Sequence, residues 1–170
     1  MNLPEVNALA LEQFVARFGG VFENSPWVAE RAWKQRPFSS VASMLQAMAA
    51  AVRLATPAEQ LALIRAHPEL AGAQAKEGTL TADSSSEQGR LGFSALTREE
   101  FLRIAEINRR YREKFGFPCI VALRLHAGRE SVMTEMERRL AHDGETELRI
   151  ALEQIGHITR GRLEKLLGKG

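Results

Sequence analysis

The chain has 170 residues, a formal net charge of +2, one cysteine and four histidines, a size that suits one domain spanning residues 1–170. Cys119 alone excludes an intramolecular disulfide and a cysteine-rich metal site, and the scattered His67, His126, His142 and His157 form no pair at ligand spacing, so no metal is expected. There is no basic-then-apolar leader and no apolar run near the ~20 residues of a membrane span, and acidic and basic residues alternate, as at Glu135, Glu137, Arg138 and Arg139. The expectation is a soluble cytoplasmic protein with solvated charged helix faces and neither a membrane nor a nucleic-acid partner.

Helix signals dominate the chain. Leu11, Phe14, Val15 and Phe18 recur on one face of a segment from Leu9 to Phe18, and Gly19-Gly20 stops it. Trp27 and Trp33 read as core residues. Ser39-Ser40 can cap a helix running to about Leu54, with Met44, Leu45 and Met48 on one face. Thr56-Pro57-Ala58-Glu59 is a capping signal: the Thr hydroxyl and Glu carboxylate exchange bonds with the first amides, and Pro57 sits where its missing N–H costs nothing. That helix meets His67-Pro68. Proline disfavours helical geometry in the residue before it, so His67 is placed at a helix C-terminal end.

Gly72 to Gly92 is polar, rich in Gly and Ser, and reads as one long loop. Thr97-Arg98-Glu99-Glu100 then opens a helix to about Phe115, with Phe101, Ile104, Ala105, Asn108 and Tyr111 in periodic order and Gly116-Phe117-Pro118 as the break. Cys119 to Leu125 reads as a loop with a short helix. Two further helices, about Glu130 to His142 and Glu145 to Leu167, are divided by Asp143-Gly144. The fold class that follows is all-α: a single-domain helical bundle with one long polar active-site loop.

Chemistry concentrates in two segments, His67-Pro68-Glu69-Leu70-Ala71-Gly72 and Ser84-Ser85-Ser86-Glu87-Gln88. Imidazole titrates near pH ~6.5 and can move a proton at neutral pH. His67 can equally interact with carbonyls at its helix end, which favours the charged form. Ser84-x-x-Glu87 is itself a capping pattern, and a helix N-terminus there also supplies N–H groups for an anion. Arg160 or Arg162 on the last helix could hold a carboxylate or ureide through the planar guanidinium. No Gly-x-Gly-x-x-Gly, Walker loop or Gly-x-Ser-x-Gly is present.

Taken together, the segments resemble the 2-oxo-4-hydroxy-4-carboxy-5-ureidoimidazoline (OHCU) decarboxylase family, which acts at the last step of urate breakdown to (S)-allantoin. The resemblance runs through Phe18 to Glu23, Ser25 to Ala29, Arg36-Pro37-Phe38, His67 to Gly72, Leu80-Thr81, Ser84-x-x-Glu87-Gln88, Asn108-x-x-Tyr111-x-x-Lys114-Phe115-Gly116-Phe117-Pro118 and Ile158-x-x-x-Arg162-Leu163. It implies an all-α fold, a small-molecule substrate, no cofactor, and usually a homodimer. It implies that His67 donates the proton, with Glu87 beside it and Arg162 in the site. Substrate contacts are implied for Pro68, for Ser84, Ser85, Ser86, Glu87 and Gln88, and for Cys119, Ile120, Val121, Ala122 and Leu123.

Two departures stand out. Cys119 occupies a position where the family commonly has Phe, and Gly161 precedes Arg162 where an apolar residue is usual. Inside a helix the glycine costs about 1 kcal/mol relative to Ala. The other readings are a non-catalytic helical module of the same fold that binds a ureide or a protein, and a decarboxylase of a related imidazoline. A second fused domain is not expected at this length.

Overall fold

The computed structural model describes residues 1–168, and all regular structure among them is helical. Among the described residues there are ten α-helices and two 3₁₀ turns. The described residues divide into two compact units, 1–66 with 159–168 and 67–158.

The first unit contains α1 (Leu3–Ala8), α2 (Leu11–Phe18), a 3₁₀ turn over Gly19–Val21, α3 (Trp27–Trp33), α4 (Val41–Arg53), α5 (Pro57–Arg65) and the end of α10 (Gly144–Leu167). Its start signals work as local chemistry predicts. Ser40 accepts from the Ser43 amide and Thr56 from the Glu59 amide, while the Glu59 carboxylate takes the Thr56 N–H. Helix α1 is additional to the helices expected from the sequence. Asn2 and Glu5 close the same reciprocal box there. Helix α2 packs on α3, and α3 on α4, around the buried Phe14, Phe18, Val28, Met44 and Met48. Each fully buried side chain of this size contributes about 1.5–3 kcal/mol.

The tryptophans depart from the core reading. Both are half-buried, with the Arg31 guanidinium over Trp27 and that of Arg36 over Trp33, while Trp33 Nε1 donates to the Leu9 carbonyl. An indole has a polar edge and a face that attracts cations, so it settles at the rim of a core as readily as inside it.

The second unit contains α6 (Ala73–Glu77), α7 (Ala82–Arg90), α8 (Arg98–Phe115), a 3₁₀ turn over Leu123–Leu125, α9 (Arg129–Arg139) and most of α10. Helix α8 starts at the predicted Thr97–Glu100 box and ends at Gly116, whose φ of +77° is a left-handed cap that glycine adopts without strain. Helix α8 packs on α9, and α7 on the 3₁₀ turn. Ile104, Tyr111, Met133, Met136 and Ile155 are buried in this unit.

Two expectations are corrected here. The stretch expected as one long loop folds as α6 and α7, separated at Gly78, which is left-handed at φ +70°. The N-cap of α7 is Thr81, whose hydroxyl accepts from the Ser84 amide, so Ser84 lies within the first turn and is not the cap. Secondly, Arg139 is not on a solvated face: it is fully buried, whereas Arg138 is exposed. Position 139 continues the 132, 136 face that carries Val132 and Met136, so helical register turns it inward.

Candidate active site

The His67 segment runs into a tight turn, Glu69 to Gly72, built on unusual backbone. Helix α5 ends at Arg65 with Ala66 as its cap, and Pro68 prevents its continuation. The His67 imidazole is 5% exposed. Ala71 stands at φ +49°, a left-handed conformation that costs a side-chain-bearing residue of order 1 kcal/mol. Gly72 follows because a Cβ there would lie 2.8 Å from Glu69 Cβ.

Three side chains hold this turn. Gln88 Oε1 accepts from the Ala71 amide at 3.1 Å, Asn108 Nδ2 donates to the Leu70 carbonyl at 2.9 Å, and Arg112 pairs with Glu69. Because Gln88 belongs to α7 and Asn108 to α8, both helices are bonded to the segment that carries His67. Asn108 Oδ1 is buried without a hydrogen-bond partner among the described residues. Such an acceptor is one that a water or a bound molecule could satisfy.

Helix α7 presents the predicted serines and acids unequally. Ser84 and Gln88 are buried, Glu87 is half-buried, and Ser85 and Ser86 are exposed. Ser85 and Gln88 line a cavity of about 460 Å³ together with Ala71, Lys76, Phe93 and Phe101. Pro68 is half-buried.

Residues Cys119, Ile120, Val121, Ala122 and Leu123 are all buried in the same unit. Burial pushes the Cys119 thiol up to about 12, so the residue is a neutral thiol near pH 7 and fills space instead of attacking a substrate. Among the described residues, no group of three or more His, Cys, Asp or Glu side chains could hold a metal ion.

Arg162 belongs to the first unit. It is 4% exposed, and its Nη1 lies 2.7 Å from Oε2 of the equally buried Glu23. Arg160 is exposed and pairs with Glu164 one turn along α10. Two residues apart on a helix means roughly opposite faces, so of the two arginines Arg162 is the inward one. Glu23, Asn108, Arg139 and Glu147 were not singled out from the sequence as site residues, yet all four are buried and polar. Asn108 and Arg139 were detectable through their register with apolar neighbours. Glu23 was not, because its partner lies 139 positions away.

The chain resembles known proteins along nearly its whole length. A solved structure described as (S)-allantoin synthase matches with a TM-score of 0.79 at 26% identity, over 98% of this chain and 54% of that one. A relative from Mus musculus named 2-oxo-4-hydroxy-4-carboxy-5-ureidoimidazoline decarboxylase is 39% identical over 99% of this chain and 94% of its own. A relative of the same name from Haloferax volcanii is 39% identical over 96% of this chain and 94% of its own. The fold and these relatives define an all-α carboxy-lyase. A family model described as OHCU decarboxylase matches residues 7–164, and the chain belongs to that family.

Proposed function

We propose that this chain decarboxylates 2-oxo-4-hydroxy-4-carboxy-5-ureidoimidazoline to (S)-allantoin in urate breakdown, without a cofactor, with the whole chain acting as one decarboxylase domain. The observation that carries the reading is the buried His67 two residues before a strained Glu69–Gly72 turn held by Gln88, Asn108 and Arg112, within a chain that matches the family over most of its length. The family's usual homodimer and a cytoplasmic location belong to the same proposal. Among the described residues, no helix is long and apolar enough to cross a membrane.

The substrate supplies its own electron sink. Its carboxylate is attached next to a ring C=N, so the electron pair of the breaking C–C bond passes into that bond as carbon dioxide leaves. The hydroxyl proton passes to the ring nitrogen, and as the hydroxyl-bearing carbon becomes a carbonyl, one proton delivered to one face of the ring carbon that bears the ureido group gives a single enantiomer. The protein has to orient the carboxylate out of the ring plane, stabilise the developing charge and deliver the proton.

His67 is the proton donor in this scheme, a role that typically contributes ~10²–10⁴-fold. Glu87 orients His67 or takes the substrate hydroxyl, and Arg162 holds an oxygen of the anionic substrate. Pro68, Ser84 to Gln88 and Cys119 to Leu123 provide the contacts around them.

Circular dichroism of a reaction started from urate, with urate oxidase and hydroxyisourate hydrolase forming the substrate in place, tests the proposal. A fast rise of the (S)-allantoin signal on adding the protein, lost in a folded His67→Ala variant, is the expected result. No acceleration over spontaneous racemic decay would overturn the activity. Near-normal turnover by His67→Ala would overturn the role of His67 alone.

A further inference from the structure

The backbone of residues 119–123 is gripped from outside. Residues 118–122 have neither helical nor strand structure, so no regular ladder sets their direction. Three side chains from three helices bind them instead. Arg139 of α9 donates from Nη1 to the Ile120 carbonyl, Gln154 of α10 accepts from the Ala122 amide at 2.8 Å, and Arg90 of α7 donates from Nη2 to the Leu123 carbonyl. Arg90 Nη2 also reaches the His126 carbonyl at 3.2 Å.

From this arrangement we infer that Arg139, Gln154 and Arg90 are positioning residues that fix the substrate-facing backbone of residues 119–123. The inference rests on the reading that this segment touches substrate.

The energetics of Arg139 point the same way. It is 0% exposed, its Nε lies 2.7 Å from Glu147 Oε1, and Glu147 is itself 0% exposed. The carboxylate also takes the Tyr111 hydroxyl, and its other oxygen meets His142 Nδ1 at 2.8 Å. A buried ion pair gains little net stability over well-packed apolar residues. What it provides is geometry: a planar guanidinium with Nε fixed by Glu147 aims Nη1 in one direction, at the Ile120 carbonyl. Arg90 adds a second consequence. It stands on the helix that carries Ser84 to Gln88, so α7 and the 119–123 segment are bonded as one body.

Gln154 gives the cleanest test because it is only half-buried. Gln154→Met keeps the shape and removes the acceptor, whereas Gln154→Glu keeps an acceptor. Loss of one such hydrogen bond predicts a KM raised about 3- to 10-fold with kcat within about twofold of wild type. Gln154→Glu should return KM to near the wild-type value. Calorimetric binding of (S)-allantoin should weaken by the same factor in Gln154→Met, and the Ala122 amide should exchange with solvent faster. Arg139→Lys, which cannot serve Glu147 and Ile120 with the same fork, should also raise KM.

A lower Tm with unchanged KM and unchanged (S)-allantoin affinity in both Gln154→Met and Arg139→Lys would make these bonds structural only and overturn the inference. An inactive wild type would remove the proposed activity, and with it any substrate role for the clamp. Ala122 amide exchange would still report whether the backbone is held.

Discussion

Gln88 Oε1 accepts the Ala71 amide at 3.1 Å, and Ala71 is the left-handed residue of the turn that follows His67 two residues on. A helix formed from a stretch with little apolar content is thereby bonded to the one strained backbone position beside the candidate proton donor. Both partners are in the same compact unit, so the bond is a property of that unit alone.

That bond makes Gln88 more than a surface for substrate. Gln88→Met should leave the half-buried Ala71 N–H without its acceptor, at a cost of about 0.5–1.5 kcal/mol. Urea denaturation measures the loss. Because His67 lies two residues before that turn, kcat/KM should fall by more than the lost stability explains once assayed well inside the folded range. An unchanged kcat/KM would separate the Gln88–Ala71 bond from the chemistry.

Gly72→Ala tests the packing of the same turn. The added Cβ would meet Glu69 Cβ at 2.8 Å and the Glu69 carbonyl at 3.3 Å, and backbone cannot swing away as a long side chain can. Overpacking of this kind costs about 1–3 kcal/mol, or roughly 2–12 °C in Tm for a chain of this length. Thermal melting by circular dichroism reads it directly. Gly78→Ala is a useful contrast: open space surrounds that position, and only its φ of +70° opposes a side chain.

How much of this was visible in the sequence depends on the range of the interaction. The boxes at Ser40, Thr56–Glu59 and Thr97–Glu100 span three residues, so they could be read off directly, as could the stop at Gly116. Helices α6 and α7 could not. They are five and nine residues long, polar, and organised by Thr81 and by Gln88's bond to a residue 17 positions away. Ser84-x-x-Glu87 mimicked a capping box three residues downstream of the true cap. The inward turn of Arg139 was present in its register with Val132 and Met136, but interleaved charges around it suggested solvent. Choosing Arg162 over Arg160 required Glu23, which only the fold brings near.

Cys119 should behave as a buried neutral thiol. With burial pushing it up to about 12, the thiolate that reacts with disulfide reagents is scarce at pH 8. Titration with a chromogenic disulfide should be slow in the native protein and fast in guanidinium chloride. Rapid modification of native protein would show the 119–123 segment opening freely.

Acid should weaken both units through identifiable carboxylates. The Arg31 side chain, aided by the Thr56 amide, holds Glu59 down to about 2, and Arg129 with the Thr97 amide does the same for Glu100. A carboxylate whose folded value lies below its unfolded value near ~4.3 stabilises the fold fully above that value. The contribution is lost as pH falls from there toward about 2. Glu100→Gln should therefore be less stable than wild type at pH 7, with the difference shrinking across that window. Both pairs are partly exposed, so salt should reduce the difference as well. A gap between wild type and Glu100→Gln that stayed constant from pH 7 to 2 would mean the ion pair is not its source.

The Arg139–Glu147 pair should give the largest single effect on stability. Both side chains are 0% exposed and lie 2.7 Å apart, so Arg139→Met leaves a buried carboxylate facing Tyr111 and His142 without its cation. Breaking a buried pair from one side costs about 3–5 kcal/mol. The double variant Arg139→Met with Glu147→Leu removes both charges and should recover a substantial part of that loss, although it strands the Tyr111 hydroxyl and the Ile120 carbonyl. Urea denaturation of the two single variants and the double variant gives the coupling energy. If the clamp on residues 119–123 is what the pair provides, the double variant regains stability but not the wild-type KM. Recovery of both would reduce the pair to one packing solution among several.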